Sequence, residues 1–426
     1  MSEVHTELLE HTTCPNCWND FQVEDVKWVS ANEELTGDYR LGSEAPKRFK
    51  PSRFDVNGNA IDLRGMSCLE LACPHCHLKI PRSVLVFKPL FVSIAGTQAC
   101  GKSFFLASMT WQLRKTLANE FGLQMSDSDG ECNAILNEYE SQLFFSEKEF
   151  CRLEKTGEIG DWYNSVQYEN QSVTYPKPFY FDIRPLEDHV NVSEGRRISR
   201  MLCLYDNAGE SFASGKDTAA EPLTKHLGLA ESWLFCFDPT QDPRFRKLLA
   251  GKSDDVQVKE SLVTHRQDQA LVEMVNRIRR HSHLGLKDKS TKPLIVVCTK
   301  FDAWSALLSE LPKPWGKSAG SGKTILNLSN IEKVSNELKE LLQTHCPEVV
   351  AASQSISNNV YYVPVSATGV SPVQVEGYPK EMTPVAQIDP QWCEVPFLIA
   401  AAHRTPKLVF RGRAEKKTSA QSSREY

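Results

Sequence analysis

The stretch "PLFVSIAGTQACGKSFFLASMTW", residues 89–111, joins three patterns in one run. "PLFVSIAG" is a short apolar segment of strand formers, and "KSFFLASMTWQLRKTLANEF" follows with Leu106, Met109, Leu113, Leu117 and Phe121 on one helical face. Between them lies G-x-x-x-x-G-K-S. A strand, this loop and a helix, in that order, form the setting a Walker A phosphate loop requires. Gly96 and Gly101 free the backbone so that the N–H groups of Thr97, Gln98, Ala99, Cys100, Gly101, Lys102, Ser103 and Phe104 can wrap phosphates, helped by the positive end of the helix. Lys102 is placed to reach the β- and γ-phosphates, and Ser103 to ligate Mg2+.

Three further apolar runs end in short polar motifs. "RMLCLYDNAGESF" ends in D-x-x-G, with Asp206 placed to hold magnesium through water and the Gly209 N–H free to meet a γ-phosphate. "PLIVVCTKFDAW" ends in T-K-x-D, spanning Thr299, Lys300 and Asp302. The Asp302 carboxylate can accept from the guanine N1–H and N2 amino group, donors that adenine lacks, while the Lys300 stem covers the ring. "VYYVPVSATG" ends with Ser366 and Ala367, whose backbone is placed for the guanine O6. Each motif closes a predicted parallel strand, and ligands of open α/β sheets bind at that edge.

In these motifs the chain resembles the Ras-like, TRAFAC-class P-loop GTPases over about residues 86–403. With "LYDNAGE" and an N-terminal cysteine segment, it is most similar to bacterial double-GTPase-type proteins of conflict and signalling systems. The resemblance implies an α/β fold with a mostly parallel six-stranded sheet and helices on both faces. It also implies GTP and GDP as ligands with Mg2+, and a switch coupled to a protein partner or effector. A switch-I threonine must lie between Lys102 and Asp206, and the candidates are Thr156, in an exposed Gly-flanked loop, and Thr174, close to the strand "PFYFDI". Thr156 would join Ser103 and Asp206 in the magnesium shell.

Three departures stand out. Glu210 occupies the place of the usual water-positioning Gln, Gln98 a loop position that is often Gly, and Thr299 that of a loop-bracing Asn. Slow or partner-dependent turnover is the consequence expected of Glu210 if it faces the attacking water; the alternative is a switch residue that turns outward. Arg184, Arg196, Arg197 and Arg200 are candidate arginine fingers, though solvated surface roles suit them better. A second loop-like stretch, "GKSAGSGKT" at 316–324, follows "LPKPW" instead of an apolar strand and reads as a surface loop. The acidic "SDSDGE" at 126–131 lacks calcium-loop spacing and reads as a turn.

Two C-P-x-C pairs, Cys14 with Cys17 and Cys73 with Cys76, predict a closed tetrahedral S4 site for structural Zn2+. The 55 residues between Cys17 and Cys73 exceed the roughly 15–20 of a plain zinc ribbon, so residues 18–72 carry an insertion. Cys68 or His77 could replace a ligand, but the four-cysteine set is already complete, so they read, with His75, as non-ligating neighbours. The expected organisation is a zinc-ribbon domain at 1–85, a GTPase domain at 86–403 and a basic tail at 404–426.

Charge is asymmetric: the net is −5, with about +5 from Arg404 onward and −10 before it, so the acidic body is a poor nucleic-acid surface. No apolar run approaches the ~20 residues of a membrane span, and the first residues lack a secretion-signal pattern. Thirteen cysteines, several inside apolar runs, suit a reducing compartment, and the cytoplasm is the expected location. Three functions stay open at this point: a GTP-hydrolysing switch; a non-hydrolysing scaffold docking through the ribbon and "PQWCEVPFLIAAAH"; and an ATPase using the phosphate loop alone.

Overall fold

The computed structural model describes residues 8–153, 162–169, 171–207, 224–253, 255–259, 266–308, 316–318, 324–378 and 381–411. Its centre is a sheet built from β1 (Lys88–Gly96), β2 (Leu123–Asp127), β3 (Phe179–Pro185), β4 (Arg200–Asp206), β5 (Ser232–Phe237), β6 (Leu294–Cys298) and β7 (Val360–Pro364). The order is β2-β3-β4-β1-β5-β6-β7. From β4 to β7 every pairing is parallel, whereas β3 runs against both β2 and β4.

This corrects the expected six strands to a mixed seven among the described residues. The added strand, β2, alternates buried Leu123 and Met125 with exposed Gln124, the pattern of an edge strand with one wet face. Its last two residues, Ser126 and Asp127, begin the acidic run that was read as a turn. The following Asp129 does shape a turn, accepting from the Glu131 and Cys132 N–H groups.

The inner strands are buried on both faces. On β5, Leu234 and Cys236 join one cluster, while Trp233, Phe235 and Phe237 join another. The first cluster is roofed by α1 (Lys102–Phe121), α2 (Ala134–Phe144) and α6 (Val395–Arg404). Leu106, Met109, Leu113, Leu117 and Phe121 all point into it, each contributing roughly 1.5–3 kcal/mol of burial. At its end, α1 closes on Gly122, whose positive φ of 64° lets its N–H return to the Leu117 carbonyl.

On the second face, helices cover only part of the sheet. α3 (Gln267–His281) and α5 (Pro347–Ile356) pack on β5, β6 and β7, with α4 (Leu328–His345) beside them. Over β1, β3 and β4 lies the cysteine segment, its Cys14, Cys17, Trp18, Cys73 and Cys76 clustering with Phe91, Tyr180, Met201, Cys203 and Tyr205. Helices thus lie on both faces as expected, and the cysteine segment completes the second layer where they stop.

One other reading changes and one is narrowed. Within the second glycine-rich stretch, Gly316–Ser318 pairs antiparallel with Thr324–Leu326, and residues 319–323 between them lie outside the described residues. Val395, Phe397, Leu398 and Ile399 of α6 are buried in the main core, which removes this helix as a free docking face.

Candidate functional site

The phosphate-loop segment leaves β1 at Gly96 and enters α1 at Lys102. Gly96 is required by space: a Cβ there would lie 2.7 Å from Cys100 Sγ and 3.0 Å from the Cys236 carbonyl. Gly101 is required by conformation, with φ at 84°, and Ala99 shares the left-handed region at 57°. The Thr97 hydroxyl is buried without a protein partner. Ser103 and Phe104 follow in the first turn of α1, Phe104 packing against the main core. Gln98 is exposed, and its carbonyl accepts from Gln241 Nε2 at 3.3 Å.

The Lys102 ammonium lies 2.6 Å from Asp206 Oδ1 and also donates to the Asn207 carbonyl. Burial works against its charge, but the Asp206 carboxylate outweighs this and holds the lysine above its ordinary value. Two of the four motifs therefore meet directly. Gly209 and Glu210 lie outside the described residues, as does Thr156. Thr174 lies in the hairpin Tyr163–Tyr168/Gln171–Pro176, opposite Ser165. That hairpin is fastened to the ribbon insertion by Arg40, whose carbonyl accepts from the Gln167 N–H at 2.7 Å.

Thr299 bears on a departure noted in the sequence. Its hydroxyl donates to the Cys100 carbonyl at 2.7 Å, bracing the phosphate loop without an asparagine. Lys300, at φ 56°, pairs with the fully buried Asp238 at 2.7 Å. Asp302 Oδ1 accepts the Ser366 hydroxyl and Oδ2 the Gln257 amide at 3.1 Å. Burial raises the Asp302 carboxyl above the usual range, against these hydrogen bonds. The Ala367 carbonyl accepts from Ser108 of α1 at 2.6 Å, tying the last motif to the helix that follows the first. Gln257 and Asp238 carry no motif signal in sequence, because both lie in the connection after β5 and reach the site only through folding.

The arginines lie at the other end. Arg200 opens β4 and Asp206 closes it, roughly 20 Å apart along a strand. Arg184 is near the Arg200 end through the Ile183–Arg200 register. Neither is placed to act at the phosphate loop.

The four ribbon cysteines are buried, their sulfur atoms within 4.8 Å of one another. Cys14 and Cys76 are 3.9 Å apart and Cys17 and Cys73 3.8 Å, matching the about 3.8 Å edge of a tetrahedron with Zn–S near 2.3 Å. The two turns are alike: the Asn16 and His75 N–H groups point at Cys14 and Cys73 sulfur, and Trp18 and His77 each take positive φ. This donor set fits a structural metal with no open position. Cys68 and His77 are outside the set, His77 instead bonding Asp38 at 2.8 Å.

The cysteine segment and the Lys102 edge of the sheet share one buried network. Trp18 Nε1 donates to the Tyr205 hydroxyl at 3.1 Å, which donates to the Pro15 carbonyl at 2.6 Å. Tyr205 stacks on His226 at 4.3 Å. His226 bonds Asn207 Oδ1 at 2.9 Å and Ser93 at 2.7 Å. Asn207 is the residue whose carbonyl receives Lys102.

No family model matches the chain. A curated relative, the putative ESX-1 scaffolding and assembly protein SaeC of Mycolicibacterium smegmatis, is 28% identical over 178 residues, 42% of this chain; the chain spans 40% of that relative's length. Among solved structures, the signal recognition particle receptor SRb-GTP/SRX complex of Chaetomium thermophilum is 13% identical, with 67% of this chain and 94% of that chain covered and a TM-score of 0.27. The S. cerevisiae Ski7 GTPase-like domain bound to GTP is 15% identical, covering 68% and 47%, at 0.26. Elongation factor SelB of Methanococcus maripaludis is 13% identical, covering 66% and 31%, at 0.24. These neighbours are GTPases or GTPase-like proteins, but scores this low leave the architecture to rest on its own strand order and loop geometry.

Proposed function

We propose that this chain binds GTP with Mg2+ and hydrolyses it to GDP as a molecular switch, and that its four-cysteine site holds a structural Zn2+. The observation supporting this most directly is the meeting of Lys102 and Asp206 at the phosphate loop, with Asp302 and Ser366 paired at the same edge of the sheet. Lys102 leaves Asp206 for the β- and γ-phosphates when nucleotide enters. Ser103, and Asp206 through water, would hold the cation, with Thr156 the favoured third contributor, and magnesium held there would supply neutralisation of phosphate charge. Glu210 orients the attacking water as an acceptor only, which accounts for the slow turnover expected without a partner.

A second reading is a GTP-dependent assembly component with little turnover, favoured by the scaffolding and assembly role for which the curated relative is named. One experiment separates them: GTP and ATP binding and turnover in Mg2+, with Lys102→Ala as blank and Asp302→Asn for base choice. Selective GTP binding, lost in Lys102→Ala and made unselective in Asp302→Asn, with multiple turnover, supports the switch. Selective binding without turnover supports the assembly component, and ATP preference refutes both.

A further inference from the structure

The connection between β5 and α3 places a short helical turn, Val256–Lys259, beside the base-reading motifs. Three contacts hold it there. Val258 packs against the cluster under α3 and α5. Asp255 Oδ1 caps the turn by accepting the Gln257 N–H at 2.7 Å. The other oxygen of Asp255 accepts the hydroxyl of Ser371, just beyond the S-A-T-G segment. So fastened, Gln257 directs its side-chain amide at Asp302 Oδ2, 3.1 Å away, while Ser366 fills Oδ1.

The chemistry of that contact is specific. Guanine offers Asp302 an N1–H that is part of a lactam, together with an amino group. A glutamine carboxamide is the side-chain group nearest to that pattern, with N–H donors on a planar amide. Asp302 is half-buried, and burial disfavours its ionised form. The Ser366 and Gln257 donors offset that cost, so Gln257 supplies at Oδ2 the kind of N–H that guanine would supply.

We propose that Gln257 is an internal competitor of guanine for Asp302, occupying the base-reading carboxylate until nucleotide displaces it. The inference rests on the GTP-binding reading above. Entry of guanine exchanges one amide donor for another at the same oxygen, and the apparent affinity is reduced by the fraction of molecules in which Gln257 holds the site. The turn Val256–Lys259, anchored through Ser371, thus sets how readily guanine nucleotide is taken up. A partner that draws it aside raises affinity without touching the phosphate loop.

The test is equilibrium binding of GDP and of ADP to the full chain, comparing the parent with Gln257→Ala and Ser371→Ala. The expected result is GDP binding about three- to tenfold tighter in Gln257→Ala, a smaller gain in Ser371→Ala, and no gain for ADP in either. A merely structural role predicts the opposite sign, since damage weakens binding. If the parent prefers GDP over ADP but Gln257→Ala binds GDP no more tightly, at an unchanged thermal midpoint, the competitor role is overturned and the GTP reading stands. A parent with no Lys102-dependent GDP binding overturns both.

Discussion

Asp302 and Thr299 show how single side chains set the behaviour of the sheet edge proposed to hold nucleotide. Because burial raises the Asp302 carboxyl, it takes up its proton at a higher pH than an ordinary carboxylate. The protonated acid loses acceptor capacity toward guanine, so GDP affinity is expected to fall as pH is lowered through that raised value. Calorimetric titration from pH 7.5 to 5 checks this, with Asp302→Asn expected to be flat over the same range. Thr299→Val keeps the shape but leaves the Cys100 carbonyl without its 2.7 Å donor. It should cost about 1–3 kcal/mol, read as a lower denaturant midpoint and weaker GDP binding. The sequence made the motif residues legible because each sits at a strand end with a fixed polar pattern. It did not reveal that Thr299 takes over a bracing bond, since a hydroxyl's partner depends on where the backbone of another segment runs.

Among the elements, α6 is the one whose sequence reading changed most. Its apolar residues were compatible with a partner face, yet they fill the main core. Leu398→Ala should therefore destabilise the fold by about 2–5 kcal/mol, measured by urea unfolding; a change under 1 kcal/mol would contradict the packing. On the same helix, burial first and then the Arg411 and Arg404 charges push His403 down to about 4. The unfolded chain has its histidine near 6.5 and binds the proton that the folded chain refuses between those values. The resulting stability is present above pH about 6.5 and lost progressively toward pH about 4. Thermal melts across that window test it, with His403→Gln expected to flatten the slope. Strand β2 escaped the sequence reading for a different reason: five residues with two buried positions give too short an alternation to stand out beside an acidic turn.

At the scale of the whole molecule, the ribbon and the sheet form one hydrophobic cluster with shared hydrogen bonds. Cysteine spacing made the four-cysteine cluster legible, but nothing in spacing said that it would cover β1, β3 and β4. Zinc removal, or Cys14→Ser, is expected to lower the melting midpoint of the entire chain by roughly 10 °C or more. Far-UV and aromatic signals should move as one transition; two separated transitions would show the modules to be independent. The seam also limits how such a chain can be recombined. A ribbon grafted from another protein has to meet Tyr180, Tyr205 and His226 with groups that match them. Exchange at residue 85 alone would strip those rings of their cover. Inheritance of the two parts is thus tied to a handful of aromatic residues on the back of the sheet, far in sequence from the cysteines they shelter.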